Sequence, residues 1–177
     1  KIGHGAFHRC FNLKEVLLNE GLETIGSWTF LHCTSMESLV LPSTMKEIGE
    51  DACYNCTKLK TLVLNEGLVS IGKGVIGRTA VEGLTLPSTI TEIEEGTFSG
   101  CESLLCVNFG EGIKVIGELA FSQCTSLKVL KLPSTVRKSG RCAFAKCSEL
   151  TGAMLNEGLE VIERFAFREC AALECVF

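Results

Sequence analysis

The sequence predicts a repeat solenoid, a stack of short coils rather than one enclosed core. An isoleucine, usually followed by glycine, returns every twenty-two or twenty-three residues, at Ile2, Ile25, Ile48, Ile71, Ile93, Ile116 and Ile162, with Ser139 in the slot between the last two. A fixed set of apolar positions repeats around that residue, and the pattern runs through all 177 residues. A self-similar period of this length marks stacked supersecondary units, because a unit so short buries its apolar face only against its neighbours.

Within each unit, counting from the isoleucine shows which positions point inward. Five residues on stand Phe7, Phe30, Cys53, Ile76, Phe98, Phe121, Phe144 and Phe167. Eight residues on stand Cys10, Cys33, Cys56, Cys101, Cys124, Cys147 and Cys170, with Thr79 in the fourth unit, which is also one residue short. Eleven residues on, where the unit has full length, stand Leu13, Met36, Leu59, Leu104, Leu127, Leu150 and Leu173. The spacing then tightens to alternation, with Val16 and Leu18, Leu39 and Leu41, Leu62 and Leu64, Leu84 and Leu86, Val107 and Phe109, Leu130 and Leu132, and Ala153 and Leu155. Alternation of this kind is the pattern of a strand with one buried face. Parallel pairing of such strands sets successive coils about 4.8 Å apart, so matching residues form columns of isoleucine, phenylalanine, cysteine and strand aliphatics.

The turn leaving the strand alternates between two chemistries. Asn19-Glu20-Gly21, Asn65-Glu66-Gly67, Gly110-Glu111-Gly112 and Asn156-Glu157-Gly158 alternate with Pro42-Ser43-Thr44, Pro87-Ser88-Thr89 and Pro133-Ser134-Thr135. Glycine opens positive backbone angles in the first kind, and proline presets the angle in the second. The larger module is therefore a pair of coils. Alternation also separates the turn glutamates by two coil spacings, about 10 Å, which softens their repulsion.

These positions resemble the BspA-like class of leucine-rich repeats, whose consensus runs Leu-x-x-Leu-x-Leu-Pro-x-x-Leu-x-x-Ile-Gly-x-x-Ala-Phe-x-x-Cys-x-x-Leu. Leu127, Leu130, Leu132, Pro133 and Val136 follow it, as do Ile116, Gly117, Ala120, Phe121 and Cys124 in the preceding turn. Departures are local: Thr79, Ser139 and Cys53 replace column residues, and Glu94 and Glu163 replace the glycine. The resemblance implies a right-handed leucine-rich-repeat coil stack with short parallel β-strands and irregular, short helical or 3-10 turns. It covers residues 1–177 as a single array of about eight units of 22–23 residues. Neither end carries an atypical polar unit of the kind that caps such arrays, so the expectation is a fragment lacking its end caps.

Composition bounds the function. The net charge is only −4, which argues against nucleic acid as the main partner, and no apolar run approaches the roughly 18 residues of a membrane span. Eleven cysteines suggest a disulfide framework, but seven of them fill one inward column where a small apolar side chain suffices. Buried reduced thiols favour a reducing compartment, whereas the family resemblance leans to the cell surface.

Four motifs invite a chemical reading and favour a plainer one. Cys53-Tyr54-Asn55-Cys56 has redox spacing, yet both cysteines lie on inward columns, and a reactive thiolate needs exposure. His4, His8 and His32 lie near Cys10 and Cys33, but histidines and cysteines point in different directions, so no zinc site is expected. Asn55-Cys56-Thr57 is a rare form of glycosylation sequon. A nucleophile, base and acid assembled in a cleft are not expected, since the histidines all fall within the first 32 residues and no insertion is long enough to roof a pocket. No catalytic residue, metal or cofactor is assigned.

What remains is the outward strand face. By the two-residue period, one outward row reads Leu17, Val40, Val63, Thr85, Asn108, Lys131, Met154 and Phe177, and its neighbour Glu15, Ser38, Thr61, Gly83, Cys106, Val129, Gly152 and Cys175. Leu17, Val40 and Val63 form an apolar stripe, which marks a contact site or reflects the strand preference of valine. Glu92, Glu94 and Glu95 precede a basic group of Lys128, Lys131, Arg137, Lys138, Arg141 and Lys146, a gradient suited to steering an acidic partner or to a solvated surface. The expected function is non-catalytic protein–protein interaction through Leu17, Val40, Val63, Thr85, Asn108, Lys131 and Met154. By resemblance, adhesion to host or matrix proteins is its specific version. The alternative is an architectural spacer, or a scaffold that self-associates end to end.

Overall fold

The structure, a computed structural model, describes residues 1–177 as a parallel β-solenoid of about seven turns with no helix. Each coil carries two short strands rather than the one that alternation predicts. The first series holds the isoleucine and comprises β1 (Thr24–Ile25), β3 (Glu47–Ile48), β5 (Ser70–Ile71), β7 (Glu92–Ile93), β9 (Val115–Ile116), β11 (Lys138–Ser139) and β13 (Val161–Ile162). The second series is the alternating segment, with β2 (Ser38–Val40), β4 (Thr61–Val63), β6 (Gly83–Thr85), β8 (Cys106–Asn108), β10 (Val129–Lys131), β12 (Gly152–Met154) and β14 (Cys175–Val176). All pairing is parallel and in register, each residue facing its repeat equivalent, as Leu39 faces Leu62 and Ile93 faces Ile116.

Inside, the columns form one continuous core. Phe98, Phe121, Phe144 and Phe167 stack with ring centroids 4.9, 5.4 and 5.3 Å apart, and Phe7 stacks on Phe30 at 5.4 Å. Cys53 and Ile76 interrupt that file and are themselves buried. Each fully buried ring contributes about 1.5–3 kcal/mol of hydrophobic stabilisation, so the phenylalanine column is a principal source of cohesion.

The cysteine column does more than fill space. Each of its thiols, from the second coil onward, donates to the carbonyl of the phenylalanine position one coil earlier: Cys33 to Phe7, Cys56 to Phe30, Cys101 to Ile76, Cys124 to Phe98, Cys147 to Phe121 and Cys170 to Phe144, at 3.0–3.3 Å. Thr79 in the fourth coil bonds the Ile76 carbonyl of its own turn instead (3.0 Å). Ser139, in the isoleucine column, is buried with its hydroxyl unpartnered.

The segment between the two strands is a run of turns, and its geometry follows one rule. The residues three and seven places after the isoleucine position all have positive φ, between 49° and 73°, from Gly5 and Arg9 in the first coil to Phe165 and Glu169 in the last. Two left-handed residues per coil break any helical run. They also aim successive N–H groups along the rod. In every coil but the last the N–H groups three, five and seven places on donate to the next coil, as Leu119, Phe121 and Gln123 donate to Arg141, Ala143 and Ala145 at 2.9, 2.7 and 2.8 Å. This turn edge is an unbroken backbone ladder. The glycine after the isoleucine allows the coils to approach: a Cβ at Gly72 would stand 2.7 Å from the Glu50 nitrogen, and one at Gly117 2.6 Å from the Ile93 oxygen.

The alternating turns interlock. Ser43 donates through its backbone N–H and hydroxyl to Glu20 (3.1 and 2.8 Å), and Ser88 does the same to Glu66 (3.2 Å each). On the other side, the Asn65 amide donates to the Pro42 and Met45 carbonyls, and the Asn156 amide to those of Pro133 and Val136. The two turn chemistries thus alternate because each completes the other. Where Gly110 replaces the asparagine, its coil lies so close that a Cβ would meet the Pro87 oxygen at 2.6 Å. In the next turn, Thr135 has a buried unpartnered hydroxyl.

Candidate interaction surface

The second strand series turns every other side chain outward. Leu39, Leu84, Leu130 and Ala153 are buried, while Val40, Thr85, Lys131 and Met154 on either side of them are exposed, as are Val63 and Asn108. All seven residues of the expected contact row therefore lie on one open face. Its amino-terminal third is apolar: Leu17, Val40 and Val63 are 82, 54 and 46% exposed. Val40 and Val63 are paired directly across β2 and β4. Leu17 belongs to the first coil, whose equivalent segment forms no strand. Leu17, Leu18, Val40, Leu41 and Pro42 line a shallow hollow of about 370 Å³, with Glu15 and Glu20 at its margin. From Thr85 onward the face is mixed, with Thr85, Asn108 and Lys131 exposed in the same row as Met154 and Phe177, and Val129 exposed in the neighbouring row.

Elsewhere the structure gives the chemically suggestive residues structural partners. The Cys33 thiol is pushed up to about 11 by burial and then by Cys56. Cys53 is raised by its neighbour Cys56 and by burial, and Cys101 and Cys124 are raised by burial. These shifts disfavour the thiolates that redox chemistry needs. His4 lies against the Trp28 ring (4.4 Å between centroids) and His8 against His32 (6.2 Å), while Cys33 turns inward to the Phe7 carbonyl. No three His, Cys, Asp or Glu side chains come together to hold a metal ion. Asn55 of the sequon sits at φ 59°, its amide donating to His32 Nδ1 (2.8 Å).

The charge gradient is largely internal. Lys138 pairs with Glu163 (2.6 Å), Arg141 with Glu118, Lys146 with Glu169 (3.9 Å) and Lys73 with Glu95 (3.2 Å), each across one coil interface. These pairs are exposed and screened by solvent, so they contribute little to stability. They leave Lys128, Lys131 and Arg137 of the basic group without a carboxylate partner; Arg137 donates to the Ser134 and Val136 carbonyls instead. The pairing escaped the sequence reading because it depends on which columns face one another; an offset of about one repeat, 22 to 25 residues, is the signal that was available.

A family model described as BspA type leucine-rich repeat region (6 copies) matches residues 1–104 and 77–177. The chain belongs to the BspA-type leucine-rich repeat family. Among solved structures, this BspA-type array is similar to the leucine-rich repeat protein of T. pallidum, at 27% identity and a TM-score of 0.77, over 88% of this chain and 74% of that one. It is also similar to a leucine-rich repeat protein from Bacteroides ovatus, at 26% identity and a TM-score of 0.58, over 99% of this chain and 57% of that one. The chain thus spans little more than half the length of the B. ovatus protein. No curated protein matches it. Leucine-rich repeats of this kind are interaction scaffolds, and no helix of the structure is long and apolar enough to cross a membrane.

Proposed function

We propose that this array is a non-catalytic module that binds a protein partner on the open face of its second strand series, centred on Leu17, Val40 and Val63. The carrying observation is the apolar stripe itself, three exposed aliphatic side chains in consecutive coils followed along the row by Thr85, Asn108 and Lys131, with acidic groups beside its hollow. A solenoid face offers a flat, rigid platform that is ordered before binding, which lowers the entropic cost of association. The chemistry fits a partner segment that inserts an aliphatic or aromatic anchor between Leu17 and Val40 and sets a basic residue against Glu15. Thr85, Asn108, Lys131 and Met154 extend the contact along the rod. By family resemblance, an exposed host or matrix protein is the specific version of that partner.

The second reading, an architectural spacer, is favoured by the single core that runs the length of the rod. Replacing both Val40 and Val63 with glutamate separates the two. A binding module loses affinity for immobilised matrix proteins at least tenfold while its circular dichroism and unfolding midpoint stay near those of the parent. Unchanged retention of every protein bound by the parent removes the stripe from the contact surface.

A further inference from the structure

We infer that the array opens at one built-in seam, between segment 61–71 and segment 83–93, dividing it into two blocks that unfold separately. Four kinds of cohesion fail together there. The first strand series runs β1-β3-β5 and then β7-β9-β11-β13, with no pairing of β5 to β7. The second series runs β2-β4, then β6-β8, then β10-β12-β14, with no pairing of β4 to β6. The phenylalanine file is interrupted at Cys53 and Ile76, and Thr79 bonds its own turn, so no side chain of the fourth coil reaches back to the Cys53 carbonyl.

The break from β8 to β10 is different, because β9 and β11 remain paired beside it and Phe98, Phe121 and Phe144 stack through it. Only at the first seam do both strand series part at once. The cause lies in the sequence: the step from Ile71 to Ile93 is the single one of twenty-two residues. Glu94 also stands there in place of glycine, but Glu163 makes the same exchange and its N–H still reaches Ser139 (2.9 Å). The missing residue, not the side chain, is what parts the strands.

The core is continuous across the seam, and two further features hold it closed on average and set how it opens. The turn edge continues through it, with Cys53 and Asn55 donating to Val75 and Gly77 (2.8 Å each). Ser88 and Thr89 reach across to Glu66 and Leu68. The strand side therefore parts while the turn edge acts as the hinge. In a one-dimensional array, stability is a sum of coil and interface terms, and a weak interface uncouples the blocks on either side. The apolar stripe of Leu17, Val40 and Val63 ends at this point, so it and the rest of the contact row fall in different blocks. The seam stands without that functional reading.

The cysteine column supplies a reporter on each side. Pulsed alkylation of the 177-residue chain through a urea series, read by peptide mass spectrometry, follows Cys33, Cys53 and Cys56 in one block and Cys101, Cys124 and Cys147 in the other; all six are buried. The expected result is two labelling midpoints, one shared by each set. The substitution Leu130→Ala lowers the midpoint of the second set and leaves that of the first in place. A single midpoint for all six thiols, or a Leu130→Ala shift transmitted equally to Cys33 and Cys56, overturns the seam.

Discussion

At the scale of single residues, backbone angle is the least visible determinant of this fold. The two left-handed positions of each coil carry residues as unlike as Trp28, Asp51, Leu119, Cys142 and Phe165 at the first, and Arg9, His32, Gln123 and Glu169 at the second. No hydropathy or size pattern unites them, which is why a sequence read for apolar period misses them. What they share is an exclusion: none is β-branched and none is proline. A branched Cβ makes the left-handed region a severe outlier. Gln123→Val should therefore lower stability by about 1–2 kcal/mol, measured by urea unfolding, although the position is exposed. Asp51 adds an electrostatic strain, since burial and then Glu50 raise its pKa. A carboxyl with a folded pKa above its unfolded value destabilises the protein at neutral pH, and that penalty is relieved as the pH falls through the folded pKa. Asp51→Asn, which suits the same left-handed angle, should raise the melting temperature at pH 7. The gain should fade as the pH falls through the raised pKa of the parent carboxyl.

At the scale of elements, the inward columns were legible and the way coils join was not. Phenylalanine, cysteine and isoleucine recur at fixed offsets because a core position restricts side-chain identity. The first strand series is invisible because each member is two residues long, too short for an alternation to register. The interlocked turns were half legible: the alternation of Asn-Glu-Gly with Pro-Ser-Thr is plain, but spacing of charge is the weaker of its effects. Hydrogen bonding between unlike turns is the stronger, and it shows why the chemistries differ. Asn156 donates to Pro133 (2.8 Å) and Val136 (3.0 Å) and accepts from the Gly158 N–H (2.8 Å). Asn156→Ala should cost about 1–2 kcal/mol, because two part-buried carbonyls each lose one of their donors. Glu20 joins its turn to the next through Ser43, whose side-chain and backbone hydrogen bonds lower its pKa. A depressed carboxyl contributes stability above its unfolded pKa and loses it as the pH falls through the folded one. That acid-side loss should be smaller in Glu20→Gln, as measured by thermal melts below neutral pH.

At the scale of the molecule, the open strand face follows directly from the two-residue period, so the positions of Val40, Val63 and Lys131 were set before any coordinates. The partner was not, because recognition depends on a second surface that the chain does not encode. The larger unit of the array can still be tested by deletion. Each interlock joins an Asn-Glu-Gly coil to a proline coil, and β2-β4, β6-β8 and β10-β12 each pair a proline coil with a glycine-turn coil. Removing residues 93–138 excises one of each kind and leaves the Pro87 turn next to the Asn156 turn, so that the asparagine amide faces the carbonyls it is shaped to bond. Removing only residues 93–115 sets the Pro87 turn beside the Pro133 turn, with no asparagine or glutamate between them. In a linear array the shorter deletion keeps more coils and should be the more stable if all interfaces are equivalent. Complementary turns predict the reverse: the chain lacking 93–138 should unfold at the higher urea concentration, with a smaller denaturant slope in keeping with its smaller buried surface. A higher midpoint for the chain lacking 93–115 would show that coils, and not couples of coils, are the unit from which this rod is built.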